Sequence, residues 1–144
     1  MIQIRLMRQE DLDSVAQIEQ ETFSMPWSRE GFASSLGRKD TLYLSAFSDG
    51  ELAGYCGLLQ VLDEGEITNV AVKKCFRGQK IASMLMAELL KKGNDRGITF
   101  FVLEVRKSNK YAIRLYEKAG FLQAGIRKNF YEKPIEDAVI MCKQ

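Results

Sequence analysis

Histidine is absent from this chain of 144 residues. Its absence excludes nucleophilic catalysis of the Ser-His-Asp and Cys-His types. It also argues against a zinc site, because histidine is one of the commonest zinc ligands. If the protein is an enzyme, its acid–base groups must come from Glu, Asp, Tyr, Lys or Cys side chains.

Cysteine is scarce and irregularly spaced. The three cysteines, Cys56, Cys75 and Cys142, are odd in number and lack the spacing of a metal site. We therefore predict a reduced, cytoplasmic protein without a metal ion.

Long apolar runs and strong net charge are also lacking. No apolar run approaches the roughly 20 residues of a membrane helix, and charges interrupt the N-terminal "MIQIRLMRQEDLDSV" too often for a signal peptide. The formal net charge is only +2, so the composition calls for neither nucleic acid nor a membrane as partner. A chain of this length, 46% hydrophobic, suits one domain over residues 1–144.

The first third of the chain predicts one strand and two helices. Ile2–Met7 alternates like a strand, and Asp11 is expected to cap a helix that runs to about Phe23. Pro26, in "SMPWS", cannot continue this helix. Ser28 is then expected to cap a second, shorter helix.

The rest of the chain predicts a sheet interrupted by two helices. Asp49-Gly50 between the runs "TLYLSAF" and "ELAGYCGLLQVL" is a strong hairpin signal. "EITNVAV" and "TFFVLEV" predict two more strands, the second buried on both faces. Helical spacing begins at Ala82 and again after Ser108 or Asn109, and "AGIRKNFY" and "DAVIMC" predict a closing hairpin. The fold class is therefore α/β (α+β), with a mixed sheet and helices on both faces.

The loop "RGQKIA" lies between the "EITNVAV" strand and the helix that follows it. The first N–H groups of a helix have no acceptor, and its N-terminus carries partial positive charge, so anions bind there. Arg77, Lys80, Lys73 and Lys74 add positive charge. A diphosphate site and a solvated basic turn are both possible. Taken alone, the loop favours the turn, because a single glycine, Gly78, is a weak signal.

Glu104 is the candidate general base. Alternation in "FFVLEVR" places it on one strand face with Val102 and Arg106. A carboxylate on a covered strand is costly unless it is paired or functional, and burial raises its pKa toward the range that suits a general base. An ion pair with Arg106 or a lysine is an equally good explanation. Glu66, at the head of its strand, is a rival base in a more exposed position.

Tyr116 shares a helix face with Ala112 and Leu115 and is expected to point inward. It is either a core tyrosine with one satisfied hydroxyl or a phenol that gives a proton to a thiolate leaving group. Asn69, inside its strand, either faces solvent or hydrogen-bonds a specific partner.

Three segments together resemble one protein family. "EITNVAVKKCFRGQKIASMLM", "LEVRKSNKYAIRLYEKAGF" and "RKNFYEKPIEDAVIM" are similar to the GCN-five-related N-acetyltransferase (GNAT) superfamily. LEVR-x-SN-x-x-A-x-x-LYEK-x-GF, followed by R-x-x-Y and EDA-x-x-M, resembles the RimI-type branch, which acetylates the N-terminal alanine of a small-subunit ribosomal protein. "SMPWS" also fits this branch.

The resemblance implies a GNAT fold, with a single, mostly antiparallel mixed sheet splayed between the "EITNVAV" and "FFVLEV" strands. It implies acetyl-CoA as cosubstrate, with pantetheine along one strand and the diphosphate on the "RGQKIA" turn. By the same match, Glu104 is the general base and Tyr116 the general acid at the CoA sulfur. The implied cofactor-binding residues are Val70, Ala71, Val72, Arg77, Gly78, Gln79, Lys80, Ile81, Ala82, Ser83 and Asn109.

The implied reaction is direct attack of a ribosomal protein's N-terminal α-amine on the thioester of acetyl-CoA. The peptide groove would be formed by Trp27 in "SMPWS" and Tyr131 in "RKNFYEKP". We expect a monomer or weak dimer that contacts neither nucleic acid nor a membrane directly.

Two other functions are consistent with the same residues. The acceptor could be another protein N-terminus, a lysine or a small-molecule amine, in which case Glu64, Glu66 and Asp137 could supply acceptor-site carboxylates. The domain could also bind CoA without catalysis, although the presence of both Glu104 and Tyr116 argues against this.

Lys80 departs from the family turn, which usually reads Arg/Gln-x-x-Gly-x-Gly/Ala. Glycine tolerates positive φ and lets a ligand come close. If φ at this position is positive, lysine costs on the order of 1 kcal/mol. If the backbone there is helical, lysine fits and its ammonium can lie beside the diphosphate.

Overall fold

Seven strands and four helices make up the computed structural model, which describes residues 1–144. The strands are β1 (Ile2–Leu6), β2 (Thr41–Ser48), β3 (Glu51–Val61), β4 (Glu64–Val72), β5 (Phe100–Arg106), β6 (Leu122–Tyr131) and β7 (Glu136–Lys143). The helices are α1 (Leu12–Thr22), α2 (Arg29–Leu36), α3 (Ile81–Asp95) and α4 (Lys110–Lys118). The strands form one sheet in the order β1-β2-β3-β4-β5-β7-β6, and only β4 and β5 pair in parallel. This confirms the predicted mixed, mostly antiparallel sheet.

β4 and β5 separate after a short parallel pairing. Their ladder joins Glu64–Glu66 to Phe100–Val102 and stops there. Beyond that point β4 remains paired only to β3, and β5 only to β7. The two facing backbone edges therefore have N–H and C=O groups that no strand satisfies. This is the splay that the family resemblance implies.

A β-bulge at Thr68 sets the side-chain faces of β4. The register between β3 and β4 shifts there, and Thr68 has no partner on β3. Without the bulge, Ile67, Asn69 and Ala71 would share one face. Instead Ile67 packs in the cluster that contains α3, whereas Ala71 packs with α1 and α2. Asn69, two residues before Ala71, lies on that second face.

Two apolar clusters cover the two faces of the sheet. The larger contains buried side chains of α3 and α4, among them Leu85 and Ile113. The smaller contains buried side chains of α1 and α2, among them Val15 and Phe32. Helices therefore lie on both faces, as predicted.

Several local signals act as the sequence predicts. Ser28 Oγ and Asn109 Oδ1 each accept a hydrogen bond of 3.1 Å from a first-turn N–H, and so cap α2 and α4. Asp49 and Gly50, with φ of 48° and 89°, form the turn between β2 and β3. Gly97, with φ of 88°, follows the end of α3.

Asp11 occupies the N-cap position of α1, as predicted, but its side chain makes no capping hydrogen bond to this helix. Its carboxylate accepts hydrogen bonds from the Arg5 guanidinium at 2.8 and 2.9 Å, the Arg8 N–H at 2.9 Å and the Ser45 hydroxyl at 3.0 Å. Burial raises the pKa of Asp11, but these donors outweigh it and hold the pKa below its usual value. A tertiary ion pair has replaced the expected local cap.

Some boundaries and exposures also differ from expectation. α3 begins at Ile81 and β6 at Leu122, each slightly earlier than predicted. β5 is not buried on both faces: Leu103 and its face are buried, whereas the face of Glu104 is only half-buried. None of the helices combines the length and the apolar character that crossing a membrane requires.

Candidate active site

A cleft of about 550 Å³ opens where β4 and β5 separate. Strands β4 and β5, helices α1 and α4, the turn before α2 and the β6–β7 loop all contribute to its wall. Its lining includes six of the predicted site residues, namely Trp27, Val70, Glu104, Asn109, Tyr116 and Tyr131. The remaining predicted residues, Ala71, Val72 and 77–83, do not line the cleft but follow it along the end of β4 and the start of α3.

Glu104 projects from β5 with its side chain 18% exposed. Arg127 Nη1 lies 3.1 Å from Glu104 Oε2, but this is an ion contact without hydrogen-bond geometry, since Oε2 is buried and has no hydrogen-bond partner. Burial raises the pKa of Glu104 and the charge of Glu66 adds to the rise, whereas Arg127 lowers it; the net shift is upward. A raised pKa makes Glu104 a better proton acceptor near neutral pH.

Arg106 does not pair with Glu104, which removes the ion pair considered from the sequence. Its guanidinium donates to Ser24 Oγ at 3.0 Å, to Glu136 Oε1 at 3.2 Å and to the carbonyls of residues 132 and 134 at 2.8 and 3.0 Å. It also lies 4.5 Å from the centre of the Tyr131 ring. Arg106 thus ties the turn before α2 to the β6–β7 loop at the rim of the cleft. This role was not predicted, and the only sign of it in the sequence is the position of Arg106 two residues after Glu104.

Tyr116 reaches the cleft from α4 and is 8% exposed. Burial raises its pKa, and the neighbouring Tyr131 adds to the rise. The phenol therefore stays protonated at neutral pH, which is the state that a proton donor needs. The prediction that this side chain points inward is confirmed.

Glu19 is a cleft residue that was not predicted from the sequence. It is 3% exposed and accepts hydrogen bonds from the Tyr55 hydroxyl at 2.6 Å and from the Trp27 N–H at 3.0 Å. Glu19 therefore fixes the backbone of Trp27 beside the cleft. A carboxylate on the buried face of α1 was the signal that could have found it.

The turn before α3 presents a row of free backbone donors. No N–H from Gly78 to Ser83 bonds a backbone carbonyl, and α3 has no side-chain cap. Gly78 and Lys80 both have positive φ, 86° and 63°. Lys80 is thus in the left-handed region, which is the costly one of the two conformations considered. Free donors at a helix N-terminus, with alternating backbone handedness, form a concave site suited to an anion.

The order of elements, the splayed sheet and the cleft are those of an acetyltransferase. Residues 12–121 match the Acetyltransferase (GNAT) family, and the chain belongs to that family. This confirms the resemblance and the predicted fold.

Individual relatives cover nearly the whole chain. A Bacillus subtilis (strain 168) protein is 41% identical over 139 residues, which cover 96% of this chain and 92% of that protein. The ribosomal protein bS18-alanine N-acetyltransferase of Salmonella typhimurium (strain LT2) is 37% identical over 140 residues, covering 96% and 94% of the two chains. The crystal structure of the ribosomal-protein-S18-alanine N-acetyltransferase from Escherichia coli superposes with a TM-score of 0.91 at 35% identity, covering 99% and 93%.

Proposed function

We propose that this protein transfers an acetyl group from acetyl-CoA to the N-terminal α-amine of the alanine that begins ribosomal protein bS18. The observation that carries the proposal is the cleft at the β4–β5 separation, which contains Glu104 and Tyr116 together. The similarity to bS18-alanine N-acetyltransferases over more than nine-tenths of the chain supports the choice of acceptor. A ribosomal substrate also supports a cytoplasmic location.

The cosubstrate site that we propose runs along β4 and onto the turn. Pantetheine would lie against the free backbone edge of Val70–Val72, which no strand covers on the β5 side. The diphosphate would accept hydrogen bonds from the free N–H groups of Gly78–Ser83. The Oδ1 atom of Asn109 caps α4, so Asn109 would offer its amide NH₂ to the cosubstrate.

Glu104 and Tyr116 would divide the proton transfers. Glu104 takes one proton from the α-ammonium, whose pKa of about 7.7–8.0 requires only a mild base. The amine lone pair then attacks the thioester carbon, so that the C–N bond forms and the C–S bond breaks. Tyr116 gives its proton to the departing sulfur, and the balance closes when the second nitrogen proton returns to the phenolate. Orientation of amine and thioester would supply up to about 7–11 kcal/mol of the barrier reduction.

The acceptor groove would lie at the rim formed by Trp27 and Tyr131. Glu19 holds the backbone of Trp27, and Arg106 stacks on Tyr131. Both aromatic residues are therefore fixed by buried or multiply bonded partners, as suits residues that position a peptide. The three carboxylates considered above for a cationic small-molecule acceptor, Glu64, Glu66 and Asp137, do not line the cleft.

A peptide panel tests this function. Acetyl transfer from acetyl-CoA would be measured on short peptides with a free N-terminal alanine, on the same peptides with a blocked N-terminus and one internal lysine, and on a polyamine. We expect kcat/KM to be highest for the free alanine terminus. Faster acetylation of the blocked lysine peptide or of the polyamine would refute the proposed acceptor.

A further inference from the structure

Two buried side-chain atoms in the whole chain lack a hydrogen-bond partner, Asn69 Oδ1 and Glu104 Oε2. Both residues line the cleft, and Asn69 is only 5% exposed. An unpaired buried acceptor is costly, and proteins seldom retain one without a use for it. Both residues line the same cavity, so one ligand could satisfy the two atoms together once the side chains turn toward it.

The two residues lie on the two strands that flank the opening, a short distance beyond the last β4–β5 pair. The last β4–β5 pair is Glu66 with Val102, and Thr68 is taken out of the ladder by the bulge. Beyond that pair, Glu104 is two residues further along β5 and Asn69 three residues further along β4, one of the three being the bulged Thr68. Both lie on the sheet face that carries α1 and the turn before α2, since Asn69 shares the face of Ala71 and Glu104 that of Arg106.

We infer that Asn69 is a second amine-binding residue, whose Oδ1 accepts an N–H of the acceptor amine while Glu104 accepts another. This rests on the proposed function only in requiring that the acceptor be a primary amine. An amide oxygen without a hydrogen-bond partner, on the same cleft wall as a carboxylate, suits a group that only donates, and an ammonium has three N–H bonds. When Glu104 has removed one proton, the bond to Asn69 still holds the nitrogen and restricts the direction of its lone pair.

The decisive variants are Asn69→Leu, which removes the acceptor at similar volume, and Asn69→Asp, which keeps one. A hydrogen bond to a charged group justifies an expected loss of about tenfold to a hundredfold in kcat/KM for the acceptor peptide in Asn69→Leu. The KM for acetyl-CoA should stay within about twofold. Asn69→Asp should retain more activity than Asn69→Leu, with the acid limb of its pH profile moved to higher pH, because a second carboxylate raises the pKa of Glu104.

Thermal unfolding separates this role from a structural one. Asn69→Leu replaces a buried amide whose oxygen has no hydrogen-bond partner with an apolar group, so its Tm should equal or exceed that of the wild type. A merely structural Asn69 would give a lower Tm together with parallel losses for both substrates. An unchanged kcat/KM for the peptide, or a rise confined to the KM for acetyl-CoA, would overturn the assignment.

An error in the proposed acceptor can be distinguished from an error in the role of Asn69. If the wild type acetylates a lysine or a small amine in preference to N-terminal alanine, the acceptor named above is wrong. Asn69→Leu is then measured on the preferred amine, where the same loss of kcat/KM supports the assignment and an unchanged value refutes it.

Discussion

Replacing Lys80 by glycine should stabilise the protein. Lys80 has φ of 63° and ψ of 22° at the N-cap of α3. The left-handed conformation costs a residue with a Cβ about 1–2 kcal/mol. Glycine removes that cost but gains about 0.4–1 kcal/mol of conformational freedom in the unfolded chain. The net gain in the free energy of unfolding is therefore about 0–1.6 kcal/mol, with a midpoint of about 0.8 kcal/mol, or a Tm up to about 5 °C higher for a chain of this size.

Lys80→Ala is the matched control, because it removes the ammonium and keeps the Cβ. Lys80 makes no salt bridge in the structure, so this variant should unfold close to the wild-type Tm. Thermal and urea unfolding would be measured for the wild type and both variants, in the absence and presence of CoA. The difference between the Gly and Ala variants isolates the backbone effect, while their common change in CoA affinity reports the lost ammonium.

One outcome would refute the reasoning about Lys80. If Lys80→Gly is no more stable than Lys80→Ala, the lysine backbone is not strained, and the departure from the glycine of the family turn carries no cost. Gly78→Ala gives an independent check on the same turn. Its φ of 86° predicts a loss of stability, although a Cβ there would meet no atom within 4 Å.

Three further predictions concern the cleft. Glu104→Gln should lower turnover most at low pH, where the acceptor is protonated, and an equal loss from pH 6 to 9 would exclude a general base. Since burial raises the pKa of Glu104 above its ordinary 4.5, ionisation costs stability. The variant should therefore have the higher Tm at neutral pH, and this advantage should vanish below pH 4.5. Tyr116→Phe should lower kcat about 100-fold or more with little change in the Kd of CoA measured by calorimetry; an unchanged kcat would remove its role as acid. Arg106→Lys cannot reproduce the four contacts of the guanidinium, so the KM for the peptide should rise several-fold more than that for acetyl-CoA. Equal changes in both KM values would argue against a rim specific to the acceptor.

The sequence predicted features that depend on near neighbours along the chain. The Ser28 and Asn109 caps bond residues three positions away, and alternation correctly placed Glu104 on the face of Arg106. Features that depend on distant partners were not predictable in the same way. The Asp11 carboxylate, for example, also binds Ser45, which is 34 residues away.

In the candidate site, too, the residues carried by local motifs were predicted and those that depend on distant partners were not. The family motifs led to Glu104 and Tyr116, and the cleft contains both. Glu19 and Arg106 were missed because their partners, Tyr55 and Ser24, are 36 and 82 residues distant in the chain. The relation between Asn69 and Glu104 depends on a bulge, and a bulge is a property of strand pairing that no local pattern specifies.

The bulge at Thr68 also affects which changes in chain length β4 can tolerate. A deletion elsewhere within this strand would turn the following side chains to the opposite face. Deletion of Thr68 would leave Ile67, Asn69 and Ala71 on their present faces, because Thr68 stands outside the ladder. It would, however, remove the bend that a bulge produces just beyond the last β4–β5 pair. One additional residue in the strand thus lies where the cleft opens, and it can be removed without changing the side chains on either side of it.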